Sequence, residues 1–142
     1  MDRQEVSVLL RANGFKVTPQ RLAVYMLLQG LEDQPTADIL YRKLVEKYPT
    51  LSLATVYKTL EMYIRIGLVQ RVDMGEDSCR YDANMDNHLY IRCDKCGKVM
   101  ALTDIDDSSL LADVSKVSGY TIRHRQLFFY GQCSQCQGNE DN

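Results

Sequence analysis

The chain reads as α+β, with an N-terminal winged helix-turn-helix plan followed by a smaller α/β unit. Three observations predict it. Helix start and stop signals fill the first 67 residues. A turn-centred pair of short β segments follows them. The shorter second half then carries two Cys-x-x-Cys pairs, CDKC at 93–96 and CSQC at 133–136.

The helices follow from local chemistry. Asp2 to Ala12 places Val6, Leu9 and Leu10 on one side and stops at Asn13-Gly14. Thr18-Pro19 offers a hydroxyl N-cap and a proline at the first helical position, and Leu22, Val24, Tyr25, Leu27 and Leu28 supply a buried side as far as Gly30. Thr36 caps a third helix through Ile39, Leu40, Leu44 and Val45, closed by Tyr48-Pro49. Ser52 caps a fourth, LATVYKTLEMYIRI, ended by Gly67.

In that fourth helix Leu53, Val56, Leu60, Tyr63 and Ile64 form the apolar face, and Thr55, Tyr57, Lys58 and Thr59 gather near its start on the polar side. A helix N-terminus attracts phosphate, and short polar side chains beside it reach base edges, so this is a candidate recognition helix. An ordinary solvated face is the competing interpretation. LVQRVDM and SCRYD around Gly75-Glu76-Asp77 then read as a hairpin, the wing, with Arg71 and Arg80 in its strands within reach of phosphate.

From about residue 84 the pattern changes. ANMDN forms a polar joint. Beyond it come strands at YIRC and VMAL, a helix through SSLLADVSKVS ended by Gly119, and a strand through TIRHRQLFFYG. The expected division is 1–83 and 84–142. Asp104, Asp106 and Asp107 read as the cap of the helix that follows them. Tyr41, Tyr48 and Tyr63 read as core or half-buried residues, and of Phe128 and Phe129 one should face inward and one outward.

Composition bounds the rest. The chain has 142 residues, 45% hydrophobic, and no apolar run long enough to span a bilayer; its start lacks signal-peptide order, so a cytoplasmic protein with no membrane partner is expected. Residues 1–72 hold ten basic and seven acidic side chains, net +3, and residues 73–142 seven and twelve, net −5, which makes the first half the better partner for a polyanion. No Ser-His-Asp set, phosphate-binding Gly loop or paired catalytic carboxylates occur, so an enzyme is not expected.

A second unit of some 58 residues is marginal without a staple. Cys93, Cys96, Cys133 and Cys136 supply one: four thiolates fill every position of a tetrahedral Zn²⁺, the signature of a structural site. A thiol switch that releases zinc on oxidation has the same sequence signature and stays open.

VTPQR at 17–21, QPTAD at 34–38, LSLATVYKTL at 51–60, RYD at 80–82, CDKCG at 93–97 and YGQCSQC at 130–136 occur in an order and spacing that resemble the ferric uptake regulator (Fur) superfamily, most closely its peroxide-stress repressor branch. The resemblance implies a homodimeric repressor of metal or peroxide-stress genes. Its winged helix would bind a palindromic double-stranded DNA operator, and its α/β dimerisation domain would carry the four-cysteine zinc site. It also places Tyr57 on a thymine, Lys58 and Thr59 at the groove, and Arg21 on phosphate, with Ser52 and Thr55 at the same helix end.

The family pattern further implies a second, regulatory metal, Fe²⁺ or Mn²⁺, bound at a hinge. The matching positions here are Gln34, Asp82, His88, Tyr90 and Ala101, of which only Asp82 and His88 keep the expected donors. His124 matches a further metal position whose companions are replaced by Asn87 and Leu89. Three sensing schemes follow: a site rebuilt on Asp82 and His88 with Asp86, Asp104 or His124; a dimer competent without regulatory metal; or a redox handle at Cys79, the cysteine outside the zinc pairs. Outside the operator-binding class, the alternative is a zinc-stapled thiol switch or interaction module.

Overall fold

The computed structural model describes residues 1–138. The described backbone packs as two compact units, Met1–Met85 and a second that begins at Asp86.

The first unit holds α1 (Arg3–Ala12), α2 (Pro19–Gly30), α3 (Ala37–Leu44) and α4 (Leu53–Arg65), then the antiparallel strands β1 (Gln70–Val72) and β2 (Arg80–Asp82). Each helix starts where a side chain satisfies an otherwise orphaned N–H. Asp2 accepts from Glu5 in a reciprocal capping box, Thr18 from Arg21, Thr36 from Ile39 and Ser52 from Thr55. Val6, Leu10, Val24, Leu40, Val56, Leu60 and Tyr63 are fully buried and bring the four helices onto one core. The Tyr63 ring lies 5.2 Å from that of Tyr25, and its hydroxyl donates to the Arg21 carbonyl at 2.6 Å. Tyr41 and Tyr48 are half-buried against the same core.

Gly75, at φ 80°, turns the wing, with its N–H donating to Asp73. The hairpin also gains an edge that the sequence did not suggest. Tyr81 N–H donates to the Pro35 carbonyl at 2.9 Å and Thr36 bridges Arg80, so the segment before α3 lies along β2.

The second unit contains β3 (Leu89–Cys93), β4 (Val99–Ala101), α5 (Ser108–Ser118), β5 (Leu127–Gly131) and the short α6 (Ser134–Gly138). Its sheet runs β4-β3-β5, antiparallel on one side of β3 and parallel on the other, with α5 in the crossover. Strand β5 is shorter than expected: residues 121–126 are irregular because the partner strand begins at Leu89, which pairs with Leu127. Phe128 is half-buried against Tyr90, at 6.0 Å between rings, and Phe129 is exposed. No helix among the described residues is long and apolar enough to cross a membrane.

Leu60 is fully buried and Lys58 exposed on the same helix. Leu60→Ala is expected to cost about 2–5 kcal/mol in urea denaturation, and Lys58→Ala under about 0.5 kcal/mol.

Candidate functional site

The four cysteines converge from four places in the second unit. Cys93 ends β3, Cys96 sits in the turn to β4, Cys133 follows β5 and Cys136 lies on α6. Gly97, at φ 76°, closes the first turn by donating to the Cys93 carbonyl at 2.9 Å, and Asp94 N–H ties that turn to the Gly131 carbonyl at 2.7 Å. All four sulfurs lie within 4.8 Å of one another, with Cys93–Cys136 at 3.7 Å and Cys96–Cys133 at 3.8 Å. Tetrahedral Zn–S bonds of about 2.3 Å require sulfurs about 3.8 Å apart, whereas a disulfide needs about 2.0 Å. All five cysteines are free thiols, and this cluster suits a structural zinc.

Backbone amides are aimed at the sulfurs. Cys93 Sγ accepts from the N–H groups of Cys133 at 3.3 Å and Cys96 at 3.5 Å, which lowers its pKa to about 6. Cys136 is pushed up to about 12, because its thiol hydrogen-bonds to Cys133 and Cys93. Thiolates so close repel one another, and a divalent cation is what allows all four to ionise together.

A second polar cluster in this unit involves His88. Its Nδ1 lies 3.0 Å from the Asp86 carbonyl oxygen, and its Nε2 lies 2.9 Å from Arg125 Nη2 and 3.2 Å from Asp107 Oδ1. Arg125 grips Asp107 through two bonds, Nε to Oδ2 at 2.6 Å and Nη2 to Oδ1 at 3.0 Å. That guanidinium holds the Asp107 carboxyl at about 2. The expected capping role of Asp107 is therefore corrected: it makes no side-chain cap bond, and Asp106 instead accepts from Ser108 N–H at 2.9 Å.

The other positions matched to a regulatory metal offer little. Tyr90 is buried, with its hydroxyl donating to the Asn87 carbonyl at 3.4 Å, and Ala101 has no donor. In the first unit, buried Asp82 accepts the Asn84 N–H at 2.8 Å. Gln34 is buried, its Nε2 reaching the Glu32 carbonyl at 3.4 Å while its Oε1 makes no hydrogen bond. One carboxylate and one neutral amide oxygen do not make a nitrogen-and-oxygen set for Fe²⁺ or Mn²⁺, so these residues do not fit the implied metal.

On α4, Tyr57 and Lys58 are exposed and Thr55 half-exposed, all in the first two turns. Thr59 departs from expectation. It is 3% exposed, because it shares the helical row of Val56, Leu60 and Tyr63 that faces the core. Ser52 Oγ is engaged as the cap, 3.1 Å from Thr55 N. Arg21 donates to the Lys16 carbonyl at 2.7 Å with its guanidinium 6.0 Å from the Phe15 ring. Arg71 pairs with Glu61 and stays exposed on the wing. Arg80 departs too: its guanidinium binds Glu76 at 2.8 Å and the Gln34 carbonyl at 3.0 Å, engaging the expected phosphate contact inside the unit. Cys79 is half-buried against the core and takes a hydrogen bond with Tyr81.

A winged helix carried with a four-thiolate clamp defines a class, the winged-helix transcription regulators stapled by structural zinc. The family model described as "Ferric uptake regulator family" matches residues 12–130, and the chain belongs to that family. It is 35% identical over 136 residues to the peroxide-responsive repressor PerR of Staphylococcus epidermidis, covering 94% of this chain and 89% of the relative. Among solved structures, PerR from Streptococcus pyogenes matches at 28% identity with a TM-score of 0.55, covering 95% of this chain and 92% of that one. The Helicobacter pylori ferric uptake regulator Fur shares the fold, with a TM-score of 0.82 at 19% identity, covering 94% and 90%. The chain is thus a Fur/PerR-type regulator of the metal or peroxide response and not an enzyme.

The perturbed thiols set the pH dependence of metal binding. At neutral pH the metal-free cluster keeps protons, on Cys136 above all, that Zn²⁺ must displace. Zinc uptake should therefore release protons, and zinc affinity should fall as the pH is lowered, more steeply below about 6, where Cys93 of the metal-free cluster also holds its own proton. Proton release followed with an indicator dye during Zn²⁺ addition, and zinc retention across a pH series, check both signs.

Proposed function

We propose that this chain is a homodimeric, sequence-specific repressor that binds a palindromic double-stranded DNA operator through two copies of α4 and controls metal or peroxide-stress genes. The observation that carries the proposal is the exposure of Tyr57 and Lys58, beside Thr55, at the start of a helix whose opposite face is locked into the core. Tyr57 supplies apolar contact to a thymine methyl, Lys58 and Thr55 polar contacts to base edges, and Ser52 with the N-terminal amides of α4 a phosphate seat. Arg21 and the wing's Arg71 add phosphate contacts. Thr59 acts from inside, holding the helix's orientation.

Dimerisation through the second unit is supported by apolar surface that one copy leaves open. Leu110, Val114 and Val117 recur along α5, and Phe129 and Tyr130 lie exposed on the edge strand β5. Zn²⁺ on Cys93, Cys96, Cys133 and Cys136 would anchor the end of β5, one of the two elements that present this surface.

A double substitution, Tyr57→Ala with Lys58→Ala, is expected to abolish operator selectivity in gel-shift titrations while zinc content and dimer mass stay unchanged. Wild-type selectivity in that variant would overturn the placement of α4. Operator affinity should fall steeply with salt, with a log–log slope of about −0.9 per phosphate contacted. Cys93→Ser is expected to lose zinc, dimer and DNA binding together, as read by metal analysis, light scattering and gel shift; a zinc-free dimer that binds DNA would refute the structural role of the metal.

A further inference from the structure

The His88 cluster lies wholly within the second unit and is not used by the zinc site. The Asp86 carbonyl can only accept a hydrogen bond, so the ring nitrogen 3.0 Å from it, Nδ1, carries the proton. Nε2 has two neighbours of opposite kind, Arg125 Nη2 at 2.9 Å, which can only donate, and Asp107 Oδ1 at 3.2 Å, which can only accept; the shorter contact assigns the Nε2 lone pair to Arg125. The second proton on Nη2 goes to Asp107 Oδ1, and Nε of the same arginine serves Oδ2. Neither imidazole nitrogen is left to a metal. The same guanidinium joins three segments: the entry to β3 at His88, the start of α5 at Asp107, and the irregular stretch before β5 at Arg125.

Resting on the regulator proposed above, we infer that Arg125 is a resident cation standing in place of a regulatory divalent metal, so that the second unit is locked without Fe²⁺ or Mn²⁺ and the protein holds zinc as its only tightly bound metal. Gln34, Tyr90 and Ala101, the positions that the family resemblance matches to metal donors, agree with this, since they supply a neutral amide, an engaged phenol and no donor at all. An arginine also differs from a metal as a lock: its charge is permanent and does not depend on metal supply.

The test uses the full-length zinc-loaded protein. Metal analysis after dialysis against Mn²⁺ should give zinc alone, and operator affinity should be the same with Mn²⁺, with anaerobic Fe²⁺, and with a chelator too weak to remove zinc. Nitrogen-15 shifts of His88 should report the Nδ1–H tautomer, with no broadening by Mn²⁺. In Arg125→Ala, which frees His88 and Asp107, Mn²⁺ affinity should rise by about tenfold or more. A second metal equivalent in the wild type, an Nε2–H tautomer, or a variant as indifferent to Mn²⁺ as the wild type would each overturn the inference. Failure to bind any operator under all these conditions would instead sink the proposed function and leave the metal result standing.

Discussion

The second unit depends on four sulfur atoms being held at tetrahedral spacing. Among the described residues its buried hydrophobics are few: Leu89, Tyr90, Cys93 and Val99, none of them on α5. A core of that size cannot offset the conformational entropy of more than fifty residues. The clamp compensates by tying the end of β3, the turn to β4, the end of β5 and α6 to one point. Because the sulfurs are aimed at by Cys96 and Cys133 amides, the turns that place the ligands also stabilise their ionised form. Fold and metal site are in this unit one structure.

The first unit is stabilised by different means. Every helix has a side-chain cap, and a continuous apolar core sets the angles between helices. Such a unit is rigid where it must present chemistry. The outward residues at the start of α4 are positioned by inward ones a turn away, with Thr59 the clearest case. Tyr63 carries the same logic further, since its ring packs on Tyr25 and its hydroxyl holds the backbone at Arg21. A change on the buried row would shift the exposed face of α4 without touching it.

Between the zinc clamp and the His88 cluster the second unit contains two electrostatic knots with opposite character. One gathers negative charge and calls for a divalent cation; the other already contains its cation. Asp107, which a helix N-terminus would favour on charge alone, is instead held by Arg125, and Asp106 takes over the local backbone contact. The relatives' name for a peroxide-responsive repressor describes those proteins. In this chain Ala101 has no donor, the Tyr90 hydroxyl is engaged with the Asn87 carbonyl, and His88 sits between the Asp86 carbonyl and Arg125.

Local chemistry made much of this protein legible in advance. Thr18-Pro19, Thr36 and Ser52 mark helix starts that the structure keeps, and the two Cys-x-x-Cys pairs announce their metal because thiolate spacing within a pair is set by a tight turn. The burial of Thr59 was legible too, from its helical spacing to Val56, Leu60 and Tyr63, although its polarity pointed the other way. Only the tertiary structure decided the partners of charged groups far apart in sequence. Arg80 turns to Gln34 across 46 residues and Arg125 to His88 across 37, and the strand expected over 121–126 does not form for want of a neighbour. Caps and turns depend on residues a few positions apart, which a sequence displays; ion pairs and strand edges depend on which distant segments meet, and that is settled only when the cores close.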